Sequence, residues 1–169
     1  MARKVIAIDP GPVQSAYVVW DGQKVSAKEI ISNQALLFLL IKLSKSKELW
    51  TSPLIIEQIK SYGMAVGATV FDTVFWSGRF YQVWKSDRHL VPRLDVKKHI
   101  CYNGAAKDKK IIQALIDRFA YGVRNRGKGT KKEPGFFYGF KADVWQAFAL
   151  AVTWWDINNP GQIDRGDCG

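Results

Sequence analysis

The segment at residues 4–11, KVIAIDPG, constrains the fold of this 169-residue chain more than any other stretch. Its residues from Val5 to Ile8 are apolar without polar alternation, which is typical of a strand that is covered on both faces. Pro10 and Gly11 end the strand, because proline lacks a backbone donor and glycine tolerates positive φ. The segment predicts a sheet with layers on both sides. Asp9, at the end of this buried strand, is either a turn-capping residue or a functional carboxylate.

The remaining segments alternate between short apolar runs and helical periodicity, which predicts a layered α/β domain. Asp21-Gly22 is the two-residue signal of a type I′ hairpin, so three antiparallel strands open the chain. Ser32 or Asn33 caps the first helix, and Pro92 implies that the last strand lies at a sheet edge or ends at this residue. Further strands are predicted at 15–20, 23–30, 54–59 and 88–94, and helices at 35–43, 64–85, 95–100 (capped by Asp95), 107–119 and 142–155.

Glu57 is the second acidic residue of interest, because it lies inside the mostly apolar strand at 54–59. Burying an ionised carboxylate costs several kcal/mol unless a cation, a metal ion or a hydrogen-bond donor compensates it. The first and fourth strands can lie parallel and adjacent through a right-handed crossover, which brings Asp9 and Glu57 to one place. Asp143, in the first turn of the last helix, can join them.

Three such carboxylates, with no cationic side chain predicted beside them, repel one another. One or two Mg²⁺ or Mn²⁺ ions would compensate them, since both ions prefer oxygen ligands. Two ions about 3.5 to 4 Å apart would clamp the attacking and leaving oxygens of a phosphodiester. The formal net charge of +10 favours a polyanionic partner, nucleic acid first and an acidic membrane second. A metal-dependent nuclease is the function that these features predict.

Four segments carry a family resemblance: AIDPG at 7–11, IIEQI at 55–59, DVKKHICYNGAAKDKK at 95–110 and KADVWQAFALAV at 141–152. In this order they resemble the RuvC group of Holliday-junction resolvases, of the RNase H-like superfamily, and its bacteriophage members in particular. The resemblance implies an α/β, RNase H-like fold with a five-stranded mixed sheet and helices on both faces. It also implies a homodimeric, Mg²⁺- or Mn²⁺-dependent endonuclease that resolves four-way DNA junctions by paired nicks in recombination and repair. Asp9, Glu57 and Asp143 would be its catalytic residues and would hold two ions per site.

Gln146 departs from the family pattern. The family's last helix presents two acidic residues, or a histidine and an acid, three positions apart, whereas this chain has Asp143 and then Gln146. An amide oxygen can coordinate Mg²⁺, but it adds no charge and cannot act as a base. Asp156 lies about 20 Å further along the helix, and Glu133 would reach only if its loop folded inward. Two alternatives therefore stay open: a branched-DNA-binding protein with weak or no cleavage, and an RNase H-type nuclease for RNA–DNA hybrids.

Basic and aromatic side chains supply a candidate DNA surface. One lysine cluster flanks a predicted helix start, where backbone N–H groups can also hold phosphate. The glycine-rich segment at 121–141 predicts a mobile basic loop. Tyr62 and Tyr138 are candidates for stacking on an unpaired base. The basic candidates are Lys97, Lys98, Lys107, Lys109, Lys110, Arg124, Arg126, Lys128, Lys131 and Lys132.

The chain-wide features predict one nuclease domain at 1–157 and a flexible tail at 158–169. Cys101 and Cys168 form no disulfide framework or CxxC metal site, which favours a reducing compartment. The longest apolar run, at 35–41, is too short to span a membrane, and no secretion leader is recognisable. We expect a protein of the cytoplasm of a bacterium or of a phage-infected host.

Overall fold

The computed structural model describes residues 4–162. The strands are β1 (Val5–Asp9), β2 (Gln14–Trp20), β3 (Val25–Ser32), β4 (Leu54–Gln58) and β5 (Arg88–Pro92). The helices are α1 (Asn33–Leu43), α2 (Ala68–Val83), α3 (Arg93–Cys101), α4 (Asp108–Phe119) and α5 (Val144–Asn158), with short 3-10 helices at Arg124–Gly127 and Pro160–Gln162.

The strands form one mixed sheet in the order β3-β2-β1-β4-β5 within the described residues. The hairpin-linked strands β1, β2 and β3 pair antiparallel, whereas β4 pairs parallel with both β1 and β5. This arrangement confirms the predicted five-stranded mixed sheet. It also confirms that the first and fourth strands are parallel neighbours.

The central strand β1 is buried on both faces, as its apolar run predicts. Ile6 and Ile8 pack with α1 and α2 on one face of the sheet. Val5 and Ala7 pack with α3, α4 and α5 on the other. Because side chains alternate along a strand, Asp9 belongs to the second face, and Glu57 joins it by the same alternation from Ile55.

Helix α5 is the central element of that second layer. Every residue from Val144 to Asp156 is buried, and the helix packs across β1 and β2. Its alanine-rich sequence allows the helix axis to approach the sheet closely. This packing fixes where the helix begins and therefore where Asp143, its N-cap residue, is held.

The predicted type I′ hairpin is wrong. Trp20 pairs with Val25, so residues 21–24 form a four-residue loop. The side-chain carboxylate of Asp21 accepts hydrogen bonds from the backbone N–H groups of Gln23 and Lys24, at 2.9 and 2.6 Å. This side-chain turn replaces the tight turn. Gly22, at φ +91°, is required there because a Cβ would lie 2.4 Å from the ring of Trp155.

The helix starts differ from their predictions by one to four residues, and two of these differences have a clear cause in the backbone. The helix predicted from residue 64 begins at Ala68, because Tyr62 and Gly63 have positive φ and Gly67 is extended. The helix predicted to be capped by Asp95 begins at Arg93 with Pro92 as its N-cap, and Asp95 lies within its first turn. Of the two predicted caps of α1, Ser32 is the N-cap, and it accepts a hydrogen bond from the N–H of Ala35.

The basic segment at 121–141 is more regular than its composition predicts. Its backbone folds into a compact turn in which Gly135 donates to Lys128 O at 3.0 Å and Thr130 donates to Glu133 O at 2.9 Å. Phe137 and Phe140 anchor the segment in the core. Glycine is required at Gly129, where a Cβ would lie 2.3 Å from backbone atoms. Tight backbone contacts and buried rings thus replace apolar periodicity as the source of order.

Asn158 ends α5, so the predicted tail is helical at its first residue, and the part from 163 onward, with Cys168, lies outside the described residues. No helix between residues 4 and 162 has the length and apolar character needed to cross a membrane.

Candidate carboxylate site and basic face

Asp9 and Glu57 lie side by side at the carboxyl ends of two neighbouring strands. The parallel register pairs Ile8 with Ile56, so the next position on each strand brings Asp9 opposite Glu57. Adjacent strands are about 4.8 Å apart, and both side chains belong to the face covered by α3, α4 and α5. The sequence prediction that these two carboxylates meet is confirmed.

Three helix N-termini converge on these strand ends. Helix α3 begins with Arg93, α4 begins with Asp108, and α5 follows Asp143. The charges of all three side chains act on Asp9. Because a helix N-terminus carries a partial positive charge, this arrangement favours anionic groups, either carboxylates or phosphates.

The carboxylate of Asp9 has no compensating contact in the described residues. Burial raises its pKa to about 8, with further increases from the charges of Glu57 and Asp143, while Arg93 opposes them. Between residues 4 and 162, its carboxylate has neither a hydrogen-bond donor nor a salt-bridge partner. The ionised form of Asp9 therefore needs a cation.

Glu57, in contrast, has a cation in contact, which sequence reasoning missed. Arg93 Nη1 donates to Glu57 Oε2 at 3.0 Å, and Arg93 Nη2 donates to Asp108 Oδ1 at 2.6 Å. Burial raises the pKa of Glu57, while the charge and hydrogen bond of Arg93 lower it. The expectation that no cationic side chain lies beside the carboxylates is wrong. The expectation failed because residue 93 was predicted to continue a strand. In the structure the strand ends at Pro92, and the Arg93 side chain lies in the site.

The donor set suits a divalent cation by its chemistry. It consists of oxygen ligands, and the repulsion felt by Asp9 would be relieved by an ion. Asp143 is exposed, whereas Gln146 is buried, and its amide makes no hydrogen bond within the described part of the chain. No three Asp, Glu, His or Cys side chains among residues 4–162 are grouped closely enough to form a metal site. An ion bound here would be held by one or two carboxylates together with water, as is common for Mg²⁺.

The two acidic residues considered as substitutes for the fourth ligand are placed elsewhere. Asp156 is bound by Arg118 Nη1 and Nη2 at 2.6 and 2.8 Å and by His99 Nε2 at 2.7 Å. Glu133 is exposed at the turn of the basic segment, next to Pro134. Asp156 thus has a structural role, because its contacts link α5 to α3 and α4.

The basic candidates gather around the same helices. Lys107 is the N-cap of α4, and Lys109 and Lys110 follow in its first turn. Lys97, on α3, is close enough that its charge acts on Glu57. A groove over Trp145 is lined by Lys109 of α4 together with Arg126 and Lys128 of the basic segment.

The other DNA-binding candidates are exposed. Tyr62 is 63% exposed and has φ 49° in the loop after β4, while Tyr138 is 40% exposed. Lys131 and Lys132 lie at the tip of the turn between Gly129 and Pro134, and Lys98, Lys110 and Arg124 also face solvent. Their roles in DNA binding remain predictions.

The fold resembles solved structures of known proteins. No protein-family model matches the chain, and no curated protein matches it significantly. Among solved structures, the RuvC structure of Thermus thermophilus is similar with a TM-score of 0.66 and 13% identity, covering 94% of this chain and 97% of that one. T. thermophilus RuvC in complex with a Holliday-junction substrate is similar with a TM-score of 0.63 and 11% identity, covering 95% and 97%. The chain has the RuvC type of RNase H-like fold.

Proposed function

We propose that this protein is a divalent-metal-dependent endonuclease that resolves four-way DNA junctions by paired nicks. The observation that carries the proposal is the pairing of Asp9 and Glu57 at adjacent strand ends, with Asp143 at the start of α5. The RuvC fold supports it, since one similar structure is a RuvC bound to a Holliday-junction substrate. The basic side chains around the same helix starts supply the complementary charge for DNA.

The proposed chemistry is hydrolysis of one phosphodiester per site. A bound Mg²⁺ or Mn²⁺ would lower the pKa of water and neutralise charge on the phosphate. Asp9 and Asp143 would hold it, with the Gln146 amide oxygen as a neutral ligand. As the oxygen of water bonds to phosphorus, the water loses a proton to solvent; the P–O3′ bond breaks, and the leaving O3′ takes up a proton from solvent. The products are a 5′-phosphate and a 3′-hydroxyl, as the resemblance to RuvC resolvases implies.

The helix starts and the basic segment would position the DNA. Backbone N–H groups at the start of α4 and the lysines around it can hold a phosphate. The groove over Trp145 offers Lys109, Arg126 and Lys128 to a second stretch of backbone. Tyr62, exposed five positions beyond Glu57, would stack on an unpaired base at the crossover.

A homodimer would supply the two sites that paired nicking needs. Helix α2 exposes Phe71, Val74 and Phe75 at 66%, 49% and 63%, in a row along one side of the helix. Phe38 of α1, which packs against α2, is 62% exposed. Large exposed apolar side chains on two packed helices favour a protein partner. A two-fold axis through α2 would give each of the two equivalent junction strands its own site.

A second candidate function is junction binding with weak cleavage. Gln146 removes one negative charge from the expected ligand set, and Arg93 occupies one oxygen of Glu57. Both features lower the affinity for metal ions without affecting the basic face.

We further propose that the protein is a bacteriophage-type resolvase that acts in the cytoplasm of a bacterium or of a phage-infected host.

A substrate panel tests the proposal. The protein is incubated with Mg²⁺ or Mn²⁺ and a synthetic four-way junction, a linear duplex of the same sequence, or an RNA–DNA hybrid. Symmetric nicks confined to the junction support a resolvase. Cleavage of the hybrid alone assigns an RNase H-type nuclease. Junction binding without nicks, with nicking gained in Gln146→Asp, assigns the binding protein.

A further inference from the structure

We propose that Arg93 takes the place of a second metal ion in the carboxylate site, so that each protomer binds a single divalent ion at Asp9 and Asp143. The inference deepens the proposed function, on which its catalytic meaning rests. It replaces the expectation of two ions per site with one ion and one fixed guanidinium.

The contacts of Arg93 are those of a built-in cation. Its two terminal nitrogens are divided between Glu57, at 3.0 Å, and Asp108, at 2.6 Å. The Glu57 side chain is 9% exposed and that of Arg93 is 30% exposed, so the pair is shielded on the Glu57 side. A planar guanidinium held at two nitrogens has a fixed orientation, which a flexible ammonium would lack.

The position of Arg93 is unfavourable for its own helix. It is the first residue of α3, where a positive charge opposes the helix dipole. The register places Pro92 opposite Gln58 and Val91 opposite Glu57, so the end of β5 delivers Arg93 directly beside Glu57. The two carboxylates compensate this charge, and we infer that residue 93 serves the site rather than the helix.

The ligands that remain suit one ion. With Glu57 bound to Arg93, the carboxylates without a partner in the described chain are Asp9 and Asp143, and Gln146 is neutral. No three acidic, histidine or cysteine side chains in residues 4–162 are grouped as a metal site. A second divalent ion would have to share Glu57 with a guanidinium, and like charges within about 4 Å repel strongly in a half-buried site.

Arg93 also has donors left for a substrate. A guanidinium carries five N–H groups, and only two nitrogens are engaged here. The remaining N–H groups can donate to the non-bridging oxygens of a phosphate bound between Asp9 and the start of α4. Arg93 would then stabilise the charge that develops on the phosphate, the task that a second ion performs in a two-metal site.

Counting bound Mn²⁺ on the full-length protein without DNA tests the proposal. Equilibrium dialysis gives the number of ions per protomer, and electron paramagnetic resonance shows whether two ions are coupled. We expect one uncoupled Mn²⁺ for the wild type and for Arg93→Lys, which keeps the positive charge. We expect two for Arg93→Gln, in which Glu57 is released. Arg79→Gln is the matched control, since it removes an arginine of α2 that stacks on the ring of Trp76 and has no carboxylate contact in the described residues, and it should bind one ion.

Two Mn²⁺ ions in the wild type, or no bound ion, would overturn the proposal, and this result needs no variant to fold. An unchanged count in a folded Arg93→Gln, verified by circular dichroism, would overturn it as well. The outcomes are separable from those of the proposed function. One bound ion without junction nicking would support the single-ion site and contradict the proposed nuclease function. Two bound ions with junction nicking would contradict the single-ion site and support the nuclease function.

Discussion

Asp9 and Glu57 occupy equivalent positions on adjacent parallel strands, yet only Glu57 is in contact with a cation. Arg93 neutralises Glu57 directly, whereas Asp9 has no hydrogen-bonding partner in the described residues, and burial raises its pKa to about 8. The asymmetry divides the work of the site. Glu57 positions Arg93, and Asp9 is left open for a metal ion.

Asp9→Asn is expected to stabilise the metal-free protein. Burial and the neighbouring carboxylates raise the pKa of Asp9 to about 8, so the folded protein binds a proton there more tightly than the unfolded chain does. The associated stability is present at low pH and is lost as the pH rises towards 8. Asparagine mimics the protonated form, so urea unfolding in EDTA at pH 8 should show a gain of several kcal/mol in the free energy of unfolding.

Two comparisons check this prediction. The gain should shrink as the pH is lowered towards 4, because the wild type then takes up the proton. Asp117→Asn, at an exposed position of α4, should show no comparable gain. Equal stability of Asp9→Asn and the wild type at pH 8 would mean that Asp9 is not under electrostatic stress.

Asp156→Asn is expected to destabilise the protein. Asp156 is 4% exposed and holds Arg118 and His99, which links α5 to α4 and α3. Burial would raise its pKa, but the hydrogen bonds from Arg118 and His99 lower it below its ordinary value. Breaking this network should cost about 2 to 3 kcal/mol at neutral pH, since Arg118 is left without its partner.

The pH dependence of unfolding identifies this network. The contribution of Asp156 is present above its unfolded pKa, near 4, and is lost as the pH falls through the lower folded value. The difference in the free energy of unfolding between the wild type and Asp156→Asn, measured with urea, should therefore decrease below pH 4. A difference that stays constant down to pH 2 would attribute the loss to packing instead.

Phe75→Glu is expected to convert a dimer into a monomer. A charge placed in the exposed apolar row of α2 would be buried without a partner at the proposed two-fold interface. Light scattering during size-exclusion chromatography should give about twice the chain mass of 19.1 kDa for the wild type and the single mass for the variant. Ile157→Glu, at another exposed apolar position, should remain dimeric. A dimeric Phe75→Glu would place the interface elsewhere.

The groove over Trp145 should contribute to the salt dependence of DNA binding. Replacing Lys109, Arg126 and Lys128 by glutamine should weaken junction binding, because each lost phosphate contact lowers the log–log salt slope by about 0.9. Fluorescence anisotropy over a range of salt concentrations measures both quantities. The matched control replaces three lysines beyond the sheet's other face, Lys42, Lys45 and Lys47. Equal slopes for the two triple variants would exclude the groove from the DNA surface.

The pairing of Asp9 with Glu57 was accessible from sequence because it depends on local patterns. Two apolar runs predicted two doubly covered strands, and a right-handed helical crossover between them allowed these strands to be parallel neighbours. Because the carboxyl ends of parallel strands lie at the same edge of a sheet, Asp9 and Glu57 were expected to lie together there. Asp143 followed from the position of the last helix.

The contacts of Arg93 could not be predicted from the sequence, because its partners are 36 and 15 residues away in the chain. Whether it continued the strand or began a helix depended on Pro92, and proline is compatible with both. The order in the basic segment was hidden for a related reason, since it comes from backbone contacts of Gly129 and Gly135 that leave no periodic pattern. The exposure of α2 was hidden as well, because apolar residues at helical spacing predict a buried face equally well.

The most direct test of the proposed function is the nicking rate of a four-way junction with Mn²⁺ for the wild type, Asp9→Asn and Asp117→Asn. Removing the carboxylate that is left open for the ion should lower the rate by about 10³-fold or more, corresponding to about 4 kcal/mol, while junction binding persists. Asp117→Asn should nick like the wild type. Nicking by Asp9→Asn at the wild-type rate, or no nicking by the wild type, would contradict the account.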